Sequence, residues 1–432
     1  MAGARQSFNF GFGHVPEGAR RVDPEEPFQI VVVSDFSGRG SRGERAGSDA
    51  IAGLGAMRVE VDTIDAVMSR LDVSLRLEID GAVLDLHFAS LDDFHPDSLY
   101  RKVELFRRLK DVRARLASPA TAAEAASEVR AWLGMPEAAP QAGAAGGAPA
   151  ERGVASDIER LMGRPMSTPQ MGVQDVVSRL IKSAIGESGV PAGPADKGAL
   201  LAAVDRATST EMRRVLHHPA FQELEAAWRG VHFLLTRLET GENLTVSILD
   251  VARLEMAVDL LSNQEVERSG MYRLLAEGPT RTPGVRPWTL IVTTEVFRAR
   301  AADAGVLARL AEIARAGGAA LLAGASEQLF GCPGLPRHAD PAGWTFQADE
   351  EAQGLWGAVR QLESAAHVGL ASPRFLLRRP YAPGGDATDA FEFEEIPGGA
   401  FLAEEHHGAY LWASSGLVVA VLLGRAFMHE GW

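Results

Sequence analysis

Hydrophobic positions along this chain follow two rhythms that alternate over its length. Ile30, Val31, Val32 and Val33 are an unbroken β-branched run, the pattern of a strand buried on both faces. Residues 57–61 and 74–79 alternate apolar and polar positions, as half-buried strands do. Asp80-Gly81 is a hairpin signal leading into a strand over 82–88. Residues 63–71 predict a short helix between these strands. Leu99, Val103, Phe106, Leu109 and Val112 then recur at spacings of three and four, which predicts one amphipathic helix. Pro96 suits its first turn, and Asp92, Asp93 and Asp97 sit near its positive end.

The pattern breaks at residues 136–153, PEAAPQAGAAGGAPAERG, where no large apolar side chain occurs. Such a composition predicts a flexible linker. Beyond it, Ile158, Leu161 and Met162, then Val173, Val176, Val177, Leu180 and Ile181, have amphipathic spacing. Residues 200–238 predict two helices split near Pro219, the second with Leu224, Trp228, Val231 and Leu235 on one face. Residues 244–251, 288–293 and 319–323 predict strands, and 306–316 a helix. This alternation predicts an α/β fold of mixed sheets with flanking helices. The expected domains are 1–135 and 156–432, joined by an Ala/Gly/Pro linker over 136–155.

Composition narrows the class. The chain has 432 residues, 46% hydrophobic and 23% charged, which is globular. A net charge of −14 argues against nucleic acid as the main partner. One cysteine, Cys332, permits neither an internal disulfide nor a Cys-based zinc site. The start, MAGARQSFNFGFGHV, has no apolar signal-peptide core, and residues 416–423 are too short to span a bilayer. A soluble, cytoplasmic setting without membrane insertion is expected.

Candidate chemistry is sparse. Residues 38–43 spell G-x-G-x-x-G after a strand, but a dinucleotide site needs its third glycine to open a helix. The following residues, interrupted by Gly47, Gly53 and Gly55, write no helical face. His217-His218 and His406-His407 are adjacent pairs, about 100° apart on a helix and unable to chelate as i, i+4 pairs do. Asp92-Asp93 suits a helix start, and Glu394-Glu395 follows an alternating pattern whose acids are expected to face water. No G-x-S-x-G or phosphate-binding G-x-x-x-x-G-K-[ST] occurs, and Cys332 has no evident partner. The chain is read as having no catalytic set, no metal and no cofactor, hence as no enzyme. Aromatic and Arg-rich segments point instead to packing or an interface: Trp228 and Arg229 in one, Arg374, Phe375 and Arg378 in another. With them stand Leu99, Val103, Phe106 and Leu109, a face expected to pack against the C-terminal part.

Several stretches carry a family resemblance. PFQIVVVSDFSGR and LHFASLDDFHPDSLYRKVELFRRLKDVRARL resemble the small (TssB-like) subunit of the bacterial type VI secretion contractile sheath. HHPAFQELEAAWRG, LTVSILDV, SPRFLLRRPY, FEFEE, LWASSG and the final GW resemble its large (TssC-like) subunit. The resemblance implies a structural protein: small and large subunits pair, stack helically around an inner tube, assemble on a baseplate and contract. Its expected partners are other sheath subunits, the tube protein, the baseplate and an AAA+ recycling ATPase, the last through the segment 157–185. It also makes the SDFSGRG glycines a fold feature. Three departures stand out. Both subunit types share one chain. EGPTRTPGVRPWTLIVTTEVF lacks the family's glycine-rich segment and its acidic-aromatic motif. The family continues past the position of Gly431-Trp432 with a region that builds the inner layer. Two alternatives stay open: a non-polymerising accessory, such as a baseplate adaptor or cap, and an α/β enzyme holding a phosphorylated ligand at Gly38–Gly43.

Overall fold

The structure is a computed structural model and describes residues 26–79, 82–132, 197–281, 286–338, 340–398 and 404–432. The linker, the 157–185 segment and the Asp80-Gly81 turn lie outside the described residues. The chain divides into two compact units. The first holds residues 1–71, 226–377 and 412–432; the second holds 72–225 and 378–411. Each therefore takes segments from both sides of residues 136–155.

The first unit is built on a six-stranded sheet. Its strands are β1 (Phe28–Ser34), β2 (Met57–Arg58), β5 (Leu244–Asp250), β6 (Leu290–Phe297), β7 (Ala320–Ala325) and β8 (Val368–Ala371), in the order β2-β5-β1-β6-β7-β8. All neighbouring pairs are parallel except β2–β5. β1 lies inside the sheet, in register with β5 from Phe28↔Leu244 to Ser34↔Asp250, and with β6 from Ile30↔Leu290 to Val33↔Thr293. The β-branched run predicts this place: Ile30, Val31 and Val32 are 0% exposed and Val33 is 2%. Alternation along the strand sends Val31 and Val33 into one core. There they join Leu249, Ile291 and Leu321 of the sheet, Met256 and Leu260 of α8 (Arg253–Ser262), Leu307 and Leu310 of α9 (Ala301–Gly317), and Trp356 of α10 (Glu350–Gln361). The C-terminal helix α11 (Gly416–Glu430) packs against β6, β7 and β8. A Cβ at Gly230 would come within 2.8 Å of Leu417 in α11, so glycine there permits close packing.

The second unit holds the hairpin β3 (Ser74–Ile79) and β4 (Ala82–His87) and the helices α3 (Pro96–Lys102), α4 (Glu104–Ala117), α5 (Ala122–Trp132) and α6 (Lys197–Leu216). It also holds the start of α7 (Pro219–Leu235), whose later turns belong to the first unit. Instead of the single predicted helix over 99–112, two helices meet at Val103, which adopts an extended backbone with φ −78° and ψ 129°. Periodicity survives the break because Leu99, Val103, Phe106 and Leu109 are all buried. In the first unit, the predicted 57–61 strand is likewise only two residues long, followed by a 3₁₀ turn at Val61–Thr63 and the predicted short helix, α2 (Ile64–Leu71). Where no helical face was expected after the glycine loop, a five-residue helix forms, α1 (Ser48–Ala52), with Ile51 buried; it begins five residues beyond Gly43. Residues 378–398 contain no helix or strand and run as a strap across the second unit. Among the described residues no helix is long and apolar enough to cross a membrane.

Candidate functional site

The glycine loop begins where β1 ends, at the boundary with β6. The connections reverse direction there, and open α/β sheets commonly take ligands in the crevice at such a point. Here the crevice is closed by the chain itself. Ser34 Oγ and Thr294 Oγ1 are 2.6 Å apart across the β1–β6 boundary. Trp228, fully buried, donates its Nε1–H to the Phe36 carbonyl at 2.8 Å and meets the Phe36 ring edge-on at 5.2 Å.

The loop amides are also taken. Asp35 accepts the N–H groups of Arg39 at 3.0 Å and Gly40 at 2.9 Å. The N–H groups of Ser41, Arg42, Gly43 and Glu44 donate to loop carbonyls. Asp250 Oδ1 accepts from Phe36 and Ser37 at 2.7 and 2.9 Å. A phosphate cradle needs such amides free; these are satisfied by two of the protein's own carboxylates and by its backbone. Gly38 and Gly43 have φ of 76° and 72°, so they serve the turn. A Cβ at Gly40 would lie 2.8 Å from Asp35 Oδ2. Arg39 completes the network, its Nε 3.2 Å from Glu255 Oε2 and its Nη1 3.8 Å from Asp250 Oδ2.

Two predictions follow from this closed loop. Trp228→Phe keeps a ring but removes the donor to the Phe36 carbonyl. Thermal unfolding should show a loss of about 1–3 kcal/mol, the range for stranding a buried polar group. Asp35 is pushed up from 3.8 to about 6, by burial first and by the neighbouring Asp250 charge, against the pull of its amide donors. A carboxyl with a raised folded pKa binds its proton more tightly in the folded state. Its contribution therefore falls as pH rises from about 4 to 6 and is flat above. Urea midpoints of Asp35→Asn measured from pH 4 to 7 should lack that decline; an unchanged slope would refute the assignment.

In the second unit, α4 packs against α6, so a helix from the N-terminal part lies on one from the C-terminal part. Phe106 and Leu109 are 0% exposed, as is Leu116 farther along α4. Arg378 is the hub of a buried charge cluster. Its Nε donates to Glu225 Oε1 at 2.8 Å and its Nη1 to Glu395 Oε2 at 2.8 Å. The side chains of Glu225 and Glu395 are 0% and 1% exposed. Glu395 Oε2 also accepts the Tyr381 N–H at 2.8 Å, and the Tyr381 ring lies 4.2 Å from the Arg378 guanidinium. Burial pushes the Glu395 carboxyl up, but His217 at 3.5 Å and Arg378 outweigh it and hold it below the usual range.

The other predicted residues are placed as follows. Arg229 is half-buried on α7. Arg374 is exposed, with its guanidinium 5.8 Å from the Trp412 ring centre. Phe375 lies in the short strand β9 (Phe375–Leu376), paired with β10 (Trp412–Ala413), and its ring is 5.0 Å from Phe233. These belong to the first unit, whereas Arg378 belongs to the second. The acids of the alternating pattern, Glu392 and Glu394, are exposed as expected, whereas Glu395, which follows it, is buried. The stretch is a strap and not a strand, yet exposure alternates through 392–395, and Glu395 takes the inward position, facing Arg378. Asp93 has the helix-start role, accepting the Ala89 and Ser90 amides. His218 Nδ1 accepts the Ala220 N–H at the start of α7. Among the described residues no group of three or more His, Cys, Asp or Glu could hold a metal ion.

Sequence reasoning missed Glu225, Asp35 and Asp97 as structural acids. Glu225 left a signal: it falls between Phe221, Leu224 and Trp228 on the apolar face of α7, where a charge needs a partner. Asp35 left none, because its partners are amides of a neighbouring turn.

Comparison with known proteins gives this geometry a context. Residues 198–432 match the family model described as EvpB/VC_A0108, tail sheath N-terminal domain. Residues 14–135 match the one described as Type VI secretion system, VipA, VC_A0107 or Hcp2. The chain is 29% identical over 266 residues to the type VI secretion system sheath protein TssC1 of Pseudomonas aeruginosa, covering 60% of this chain and 52% of that protein. It is 26% identical over 99 residues to the sheath protein TssB1 of the same organism, covering 21% of this chain and 55% of that protein. The chain thus spans about half the length of these curated relatives. Both matches fall in one class, the sheath proteins of type VI secretion systems. The chain belongs to that family and carries a small-subunit-type and a large-subunit-type segment in one polypeptide.

Proposed function

We propose that this protein is a structural component of a type VI secretion-like contractile sheath in which covalent fusion replaces the pairing of two subunits. The observation that carries the reading is β1. It comes from the small-subunit-type segment, yet it hydrogen-bonds on both sides to strands of the large-subunit-type segment. The parts divide at 136–155, and the linker sets a one-to-one ratio and a high effective concentration. Trp228, Arg229, Arg374 and Phe375 are packing or contact residues in this reading, and Leu99, Val103, Phe106, Leu109 and Arg378 hold the second unit together. The sheath itself does no chemistry; work comes from two packings of the same subunits. Other sheath subunits, the inner tube, the baseplate and a recycling ATPase acting on 157–185 are the partners, in the cytoplasm.

Electron microscopy and sedimentation of the purified chain test this. Tubes or rings are expected. A strict monomer or small oligomer at all concentrations overturns the self-sufficient sheath and supports an adaptor or cap.

A further inference from the structure

The 378–398 strap is fastened to α3 through one buried acid. Asp97 is 7% exposed. It does not cap its own helix; its two oxygens accept the N–H groups of Asp389 at 2.9 Å and Ala390 at 3.0 Å. Tyr100, one turn along α3, stacks on Phe391 with ring centres 4.5 Å apart and 20° between planes. His95 precedes α3, with Nδ1 3.8 Å from Asp97 Oδ2, Nε2 3.7 Å from Asp386 and its ring edge-on to Tyr381 at 4.9 Å. All these residues lie within the second unit. The strap supplies backbone amides, and α3 supplies the acceptor and the aromatic platform.

We propose that Asp97 is the specificity-determining residue of a second attachment between the two subunit types, separate from β1, and that it recognises the strap by its main chain. This rests on reading the chain as joined small and large subunit types. Because the contact reads the N–H groups of Asp389 and Ala390, it tolerates variation in those two side chains but requires an acceptor with two oxygens at position 97. A small-subunit type with an apolar residue there removes the acceptor of two part-buried strap amides and is disfavoured. The stack of Tyr100 on Phe391 sets the register at which the amides meet the acid.

Hydrogen exchange of the intact chain, read by mass spectrometry, tests the contact. In Asp97→Ala the amides of the strap around 389–390 should exchange about 10–100-fold faster, the scale for losing two hydrogen bonds. The amides of β1 should keep their wild-type rate. Asp97→Asn, which retains one acceptor oxygen, should fall between. Wild-type protection of the strap in Asp97→Ala overturns the proposal. So does equal acceleration at β1, which would make Asp97 a general contributor to stability. If Asp97→Ala does not fold, Phe391→Ala carries the same test from the strap side, with the same two overturning results. The pairing role is read by folding the intact chain, cutting it within 136–153 and following release of the N-terminal fragment. Asp97→Ala should release it about 10–100-fold faster, the same scale of two lost hydrogen bonds, and an unchanged rate overturns the specificity role. These readouts are taken on single chains, so a failure to form tubes leaves them standing.

Discussion

Arg378→Ala should be among the most damaging single substitutions in this protein, costing about 3–5 kcal/mol at neutral pH, the range for removing one partner of a buried ion pair. The reason lies in what remains. Glu225 and Glu395 would keep almost no contact with water and would lose the cation between them. With Arg378 gone, burial would dominate at Glu395 and its carboxyl would rise instead of lying low. The sign in the wild type is the opposite. A carboxyl held below its ordinary 4.5 contributes stability that is full above that value and is lost as pH falls through the lowered pKa. Urea denaturation at pH 7 and in the acid range checks both statements. Arg378→Ala should shift the midpoint strongly at pH 7 and flatten the acid decline. A loss below about 1 kcal/mol at pH 7, within the range of ordinary surface changes or slightly above, would show that the cluster does not act as a unit.

Phe106→Ala should cost a similar amount by a different route. Phe106 is 0% exposed on α4, the helix that packs against α6. Truncating a buried phenylalanine removes its transfer free energy and leaves a cavity, about 3–5 kcal/mol together. No charge is stranded, so the loss should be nearly independent of pH. The two variants can therefore be told apart by their pH profiles even if their midpoints coincide. A cost below about 1 kcal/mol would place the Phe106 side chain outside the packed core.

Much of the fold was legible in periodicity. The run Ile30–Val33 predicts a doubly buried strand, and Leu224, Trp228, Val231 and Leu235 predict one buried helical face; all are at most 2% exposed. Periodicity reports which faces are buried, not what buries them. It therefore could not say that β1 pairs with strands from the far side of the linker, because parallel neighbours need no nearby turn. It also missed the break at Val103, since the apolar spacing continues through it. The glycine loop was legible only in part: the interrupting glycines predicted no helix, yet a short one forms at Ser48–Ala52; it opens past the third glycine, Gly43, and the acids that occupy the loop amides come from positions 35 and 250. Alternation over 391–394 marked which side chains face water but not the element: it implies a strand only where a neighbouring strand exists to pair with it.

The interior position of β1 also has a consequence for how the chain is made. Phe36 and its hydrogen-bond partner Asp250 are 214 residues apart. At typical synthesis rates of about 5–20 residues per second, the first strand waits on the order of 10–40 s for the ribosome to deliver its neighbours. During that time four consecutive β-branched residues have no sheet to enter, and such a segment is prone to pair with other chains. If the same strand were translated from a separate message, the wait would depend on a diffusing partner and would lengthen as expression fell. In one polypeptide it has a fixed upper bound, independent of concentration. Joining the two segments thus converts a bimolecular search into a timed unimolecular step, and yield should respond to translation speed more than to expression level.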